Sequence, residues 1–226
     1  MGVHERKERE KEHRRDEILD AAQAVFFEKG LQSSTMDEIA EAAELSKGTL
    51  YLYYKSKEDL YLSVMMRGMG VLQDMFAKAL SQGTNAIEVL QRISDTYYRF
   101  FLEHRNFFRM FHFFEHPQFH KQVSEEMRTM CSAENHRTWD LVISVIQQGM
   151  DEQLIRTDLS SPELAVLFWS SANSIMLRIE SEQEFWKHRL AIDLEHVLLK
   201  SNSLLLEATM TEKAKQLYPL TVVTVH

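Results

Sequence analysis

The stretch Thr35-Met-Asp-Glu-Ile-Ala-Glu-Ala-Ala-Glu-Leu-Ser-Lys-Gly-Thr-Leu-Tyr-Leu-Tyr-Tyr-Lys-Ser-Lys-Glu-Asp59 decides the fold. It reads as two short helices joined by a tight turn, with a third helix starting at its end. Thr35 and Glu38 have capping-box spacing, in which the hydroxyl accepts a free N–H and the carboxylate reaches back to the cap. Met36, Ile39, Ala40 and Ala43 then share one helical face, and the small alanines let a second helix cross closely, as a helix-turn-helix requires. Glu44 and Leu45 make the turn, and Ser46 is placed to cap the next helix. That helix, Lys47 to Tyr54, is expected to bury Leu50 and Tyr54 and to turn Lys47, Gly48, Thr49, Tyr51 and Tyr53 outward. Ser56 with Asp59 is a second capping box and opens the following helix.

The outward set suits DNA better than solvent. Lysines, hydroxyls and phenols donate to phosphates and base edges, and a glycine lets backbone come close. No acidic residue occurs between Leu45 and Lys57, although the chain carries a formal charge of −8. A plain helical hairpin with incidental tyrosines is the bland alternative, and two aromatics on the exposed face weigh against it.

The run Thr-x3-Ile-Ala-x2-Ala-x-Leu-Ser-Lys-Gly-Thr-Leu-Tyr-x-Tyr-Tyr-x-Ser-Lys-Glu resembles the signature of the TetR family of bacterial transcriptional regulators. The resemblance implies an all-α protein. An N-terminal three-helix DNA-binding domain (residues 1–61, with a charged arm) would precede a C-terminal helical domain for effector binding and dimerisation (residues 62–226). It further implies that the helix after the head links the ligand site to the DNA site. One departure is Glu44, where the family usually has glycine; a non-glycine there must accept the turn's backbone at some cost in strain.

Composition agrees with a helical fold. Seven glycines and three prolines in 226 residues, with abundant Leu, Glu, Ala, Met and Lys, leave little material for turns or strands. A lone cysteine, Cys131, excludes an intramolecular disulfide and suits a reducing compartment. No apolar run is long enough to span a bilayer, and the N-terminus is too charged for a signal peptide. A cytoplasmic protein with no membrane partner is expected. The acidic balance argues mildly against nucleic acid unless basic groups are segregated on one surface. Arg6, Lys7, Arg9, Lys11, Arg14 and Arg15 crowd the N-terminus, but Glu5, Glu8, Glu10 and Glu12 alternate with them. That arm reads as a solvated helical extension with i,i+4 pairs, or else as arginines reaching phosphates beside the site.

Downstream, Ile18, Ala21, Ala22, Val25 and Phe26 give the first helix an apolar face, with Gly30 as its stop. A fourth helix runs from Lys57 toward Leu80, with Gly68 and Gly70 as close-packing sites or a flexible point. Asn85 and Glu88 open the fifth. Phe107-Phe-Arg-Met-Phe-His-Phe-Phe-Glu-His-Pro117 carries more aromatic volume than one helical stripe needs. Most of it is expected to be core, and some is expected to line a cavity for an apolar or aromatic small-molecule effector. The candidate lining residues are Phe76, Tyr97, Phe101, Phe108 and Met110, with Phe111, Trp139, Phe168 and Met176. His112 and His116 have the i,i+4 spacing of a zinc or nickel pair, but Pro117 interrupts the helix before His120, so no metal and no cofactor are expected.

Ser161-Pro162-Glu163 opens the penultimate helix, and Ser181 with Glu184 is read as capping the last long one, through Leu205. Both are apolar on more than one face, which calls for cover on two sides and hence a homodimer built on a four-helix bundle. The tail from Lys213 to His226 is left unplaced. No catalytic constellation is present, so the chain is not expected to be an enzyme. The sum is a ligand-responsive regulator, a repressor, acting on a near-palindromic double-stranded DNA operator. Thr35, Tyr53 and Lys57 would hold phosphates. Lys47, Gly48, Thr49 and Tyr51 would lie at or near base edges, and Ser46, which caps the reading helix, completes the DNA-binding set. A protein–protein interaction module and a small-molecule carrier are the rivals.

Overall fold

The structure is a computed structural model that describes residues 3–114 and 123–220. These residues form ten helices: α1 (Val3–Ser33), α2 (Met36–Ala42), α3 (Lys47–Tyr53), α4 (Lys57–Gln82), α5 (Ala86–Glu103), α6 (Arg105–Phe114), α7 (Glu125–Asp151), α8 (Ser161–Leu190), α9 (Leu194–Thr209) and α10 (Glu212–Leu217). The all-α expectation holds. The single β feature among the described residues is an isolated antiparallel bridge between Ile155 and Met210.

The helices fold as two compact units. One comprises the described residues of Met1–Val71 and His104–Asn135, the other those of Leu72–Glu103 and His136–His226. α4 and α7 each begin in the first unit and continue into the second. This division differs from a single cut after residue 61, because α6 and the start of α7 belong with the helix-turn-helix. The reason lies at Gly68, where a Cβ would sit 2.5 Å from the Phe107 ring, so only glycine lets α6 pack this closely on α4.

In the first unit the core is Ile18, Ala22 and Phe26 of α1 with Ile39 and Ala40 of α2, Leu50 of α3, and Leu60, Val64 and Met65 of α4. Phe26 meets Tyr61 edge-on at 5.1 Å, and Phe27 meets Phe107 at 5.0 Å, the arrangement favoured by the ring quadrupoles. The charged arm is simply the beginning of α1, laced by pairs such as Arg6–Glu10 at 2.9 Å. Gly30, with φ 71° and ψ 173°, kinks α1 without ending it, and the helix resumes to Ser33. The end of α1 is then tied down from outside: Lys57 Nζ donates to the carbonyls of Leu31 (2.6 Å) and Ser34 (2.7 Å).

One half of the Ser56–Asp59 capping box is in place: Asp59 N–H donates to Ser56 Oγ (3.0 Å). The Asp59 carboxylate also has a distant partner. It is buried, 3% exposed, and accepts the Ser124 N–H at 2.8 Å, just ahead of α7. A buried carboxylate takes the nearest unpaired donors, and a helix N-terminus supplies them.

In the second unit α5 buries Ile87, Leu90, Ile93, Phe100 and Phe101 on one face. Its start is capped as expected: Glu88 N–H donates to Asn85 Oδ1 (3.0 Å), while the Glu88 carboxylate accepts from Thr84 and Arg92. The boundary expected at Ser181 does not exist. α8 runs unbroken to Leu190, and the Ser181 hydroxyl donates back to the Leu177 carbonyl (2.8 Å) instead of capping. The real break is at Ala191, in a left-handed conformation with φ 53°, after which Asp193 caps α9 through Glu195 N–H (2.9 Å) and His196 N–H (3.4 Å). Part of the unplaced tail is also ordered, as α10 capped by Thr211; residues 221–226 lie outside the described residues.

Candidate nucleic-acid interface

The helix-turn-helix is built by its caps. Thr35 Oγ1 accepts Glu38 N–H (3.2 Å), and the Glu38 carboxylate accepts Thr35 N–H (2.8 Å), closing the expected box at α2. At the far end Glu44 N–H donates to the Glu41 carbonyl (3.0 Å) and Leu45 N–H to the Ala40 carbonyl (2.8 Å). This paired pattern ends a helix with a left-handed residue, and Glu44 is that residue, with φ 54°. The chain then re-enters a helix at once. Ser46 Oγ accepts Thr49 N–H (3.1 Å) and lies 2.8 Å from Thr49 Oγ1.

α3 buries Leu50 on its inner side, with the following Tyr54 buried as well. Lys47, Gly48 and Tyr51 are exposed, and Thr49 and Tyr53 are half-buried. A Cβ added at Gly48 would meet only Ser46 Oγ, at 3.8 Å, so the fold itself does not need a glycine there. Leu52, absent from the expected set, is 84% exposed. Two residues beyond buried Leu50 is about 200° around the helix, so the spacing alone could have marked Leu52 as outward. Its apolar side chain suits a thymine methyl group.

The charges around α3 are already paired within the protein. Lys47 Nζ donates to Asp37 Oδ2 (2.9 Å), and this hydrogen bond, with the carboxylate's charge, raises the lysine pKa above its ordinary value. Lys29 holds Glu38 at 2.8 Å, and the bond, aided by those from Thr35, lowers the glutamate pKa. Lys55 faces Glu126 at 3.5 Å. Lys57 is part-buried with two N–H groups on backbone carbonyls, which leaves one for a phosphate. Desolvation raises the pKa of Tyr54, which stays a neutral core phenol.

A model of bacterial regulatory proteins of the tetR family matches residues 18–64, the segment that holds α2, α3 and the helices bracing them. Over this segment the chain is similar to the TetR family. Among curated relatives, the transcriptional activator FasR of Mycolicibacterium smegmatis is 35% identical over 94 residues, which is 42% of this chain and 42% of FasR. The chain thus spans less than half of that relative. The transcriptional repressor KstR2 of Rhodococcus jostii is 28% identical over 161 residues, 70% of this chain and 75% of KstR2. Among solved structures, the regulator FadR from Bacillus subtilis, in complex with stearoyl-CoA, superposes with a TM-score of 0.65 at 20% identity, covering 84% of this chain and 96% of FadR. At that identity the likeness concerns the fold. These relatives are transcriptional regulators and not enzymes.

The candidate effector residues fall in both units. Phe76, Tyr97, Phe101, Trp139, Phe168 and Met176 belong to the second. There Phe76 and Tyr97 lie 6.5 Å apart, Tyr97 OH donates to Asn173 Oδ1 (3.3 Å), and Trp139 meets Trp169 edge-on at 5.6 Å. Phe108, Met110 and Phe111 belong to the first unit, where Phe108 and Met110 are core and Phe111 is half-buried. His112 is exposed, and Glu115, His116 and His120 lie outside the described residues. Among the described residues no group of three metal-ligating side chains converges, and no helix is long and apolar enough to cross a membrane.

Proposed function

We propose that this protein is a ligand-responsive transcriptional repressor that binds a near-palindromic operator as a homodimer. The observation that carries the reading is the outer face of α3, on a doubly capped helix-turn-helix, whose exposed Lys47, Gly48, Tyr51 and Leu52 answer no need of the fold. In the complex α3 lies in the major groove. Lys47, Gly48, Thr49 and Tyr51 reach base edges, with Leu52 against thymine methyls, while Thr35, Tyr53 and the remaining N–H of Lys57 hold phosphates. Two-fold symmetry sets the half-sites about 34 Å apart or a multiple of it. Such a protein acts in the cytoplasm.

The effector is an apolar small molecule received by the aromatic residues of the second unit, Phe76, Tyr97, Trp139 and Phe168. FadR binds stearoyl-CoA, which supports a long acyl chain as the first class to try. The effector would favour a state of the dimer whose reading heads no longer match the operator, and by that differential affinity release it.

The test is enrichment of random duplex DNA on the purified protein at two salt concentrations. A palindromic motif that persists at the higher salt is the expected result, followed by release of that duplex by acyl-CoA thioesters. Binding without any preferred sequence, vanishing as salt rises, would overturn the operator reading.

A further inference from the structure

The lysines from Lys29 to Lys57 are all occupied by the protein's own acceptors. Lys29 holds Glu38, Lys47 holds Asp37, Lys55 faces Glu126 and Lys57 donates to two carbonyls. Of these, Lys47 is the one that opens α3. Its partner Asp37 is ten residues earlier, on α2, so the pair spans the turn of the motif. Both side chains are more than half exposed, 53% and 66%, and an exposed ion pair of this kind adds little to folding. Nor does Asp37 take part in the cap of α2, which Thr35 and Glu38 complete between them. Besides pairing with Lys47, the carboxylate places a negative charge in the first turn of α2, which the helix dipole favours only modestly at so exposed a site.

We infer that Asp37 is a specificity-determining residue: it withholds Lys47 from phosphates, so that DNA lacking the operator's bases is held weakly. The inference rests on the DNA-binding reading above. Non-specific affinity comes from cations that displace counterions from phosphates. A lysine already neutralised by a carboxylate displaces none until the pair opens. When it opens, the freed carboxylate is left a few ångströms from the incoming phosphate, with like charge. On the operator the same opening is offset by base contacts of Lys47 and its α3 neighbours. On other DNA nothing offsets it. Asp37 thus lowers background binding more than operator binding and raises the ratio between them.

The experiment compares wild type, Asp37→Asn, Lys47→Ala and the double variant on a random-sequence duplex, and on the selected operator, over a series of salt concentrations. Glu28→Gln, which removes the same charge from α1 and spares Asp37–Lys47, controls for net charge. For Asp37→Asn the random duplex should bind roughly 3- to 10-fold tighter near 0.1 M salt, with a log–log salt slope steeper by about 0.9, the signature of one more phosphate contact. The operator should gain less. The double variant should lose the gain, Glu28→Gln should show none, and the thermal midpoint of Asp37→Asn should stay within about 2 °C of wild type. An Asp37→Asn protein with wild-type slope and affinity on random DNA overturns the inference, as does a gain that survives in the double variant. In both cases the wild type still binds its operator and the repressor reading stands. A wild type that binds no DNA at all overturns the repressor reading and this inference with it.

Discussion

At the scale of single residues, Glu44 carries the clearest cost in the reading head. It stands at the left-handed position that ends α2, with φ 54° and the two hydrogen bonds of that motif intact. A β-carbon there crowds the following carbonyl, and only glycine is free of the penalty. Glu44→Gly should therefore stabilise the protein by about 0.5–1 kcal/mol, because the relief exceeds the extra freedom glycine gives the unfolded chain. A denaturation midpoint unchanged or lowered would contradict that balance. Glu88 gives a second test. Arg92, then the backbone and hydroxyl of Thr84, hold its carboxyl down to about 2 from an ordinary 4.5. With the folded pKa below the unfolded one, the unfolded chain binds the proton first on acidification. The stabilisation is complete above about pH 4.5 and is lost as pH falls toward 2. Comparing thermal midpoints with Glu88→Gln, the wild-type advantage should be constant near neutrality and should shrink across that window; an advantage independent of pH would show the carboxylate charge to be idle. These local devices were legible in the sequence, since capping signals such as Thr35–Glu38, Ser46 and Asn85 involve partners three or four residues apart. The long-range bonds of Lys57 and Asp59 were not, because their partners lie 23 to 65 residues away, where no local pattern reports them.

Among the elements, the join of α4 to α6 turns on which glycine matters. At Gly68 an added Cβ would meet Phe107 Cδ1 at 2.5 Å and Cγ at 2.6 Å, near the rigid root of the side chain rather than its tip. At Gly70 nothing lies within 4 Å. The two glycines, indistinguishable by spacing, therefore behave in opposite ways. Gly68→Ala should destabilise by about 1–3 kcal/mol through overpacking. Gly70→Ala should be neutral or stabilising by up to about 1 kcal/mol, as alanine is the better helix former. Equal effects in denaturant melts would mean that neither site is set by packing and that a flexible point is the better account. The same contact seats α6 against α4 within the first unit. The aromatic run supplies a ring that α4 was built to receive, and a hydrophobic pattern cannot say which helix a ring will meet. α8 misled for a related reason. Ser181 three residues before Glu184 has the form of a cap, but the helix is braced across it: Glu182 accepts from Arg178 (3.0 Å) and from Trp186 Nε1 (2.8 Å). The true break at Ala191 has no glycine to announce it.

For the molecule as a whole, the decisive feature is the apolar surface left on α8 and α9. The two helices pack together, with Ser171 and Ser201 hydroxyls 3.0 Å apart, and each still shows large apolar side chains to solvent. Phe185 is 57% exposed and Leu204 64%, with Val166, Leu167, Leu190 and Val197 also exposed. Scattered singly these would mean little, but here they recur along the two helices whose wide apolar stripes first suggested a partner. A second copy of the chain offers the same surface, and a two-fold axis lets each helix pair cover its mate. Because Leu204 is exposed in one chain, Leu204→Glu should leave the monomer's fold intact while placing a charge in the proposed interface, where it has no partner and loses its water. The variant should elute and scatter light as a particle of half the wild-type mass, with unchanged helical signal. A dimeric operator-binder split in this way loses the linkage of its two heads, so affinity for the full operator should fall by at least 10-fold while affinity for a single half-site changes little. Phe185→Glu should act in the same direction from the other helix. Should both variants keep the wild-type mass, the apolar face of α8 and α9 is not where two copies meet, and the spacing of half-sites would have to be set by another surface.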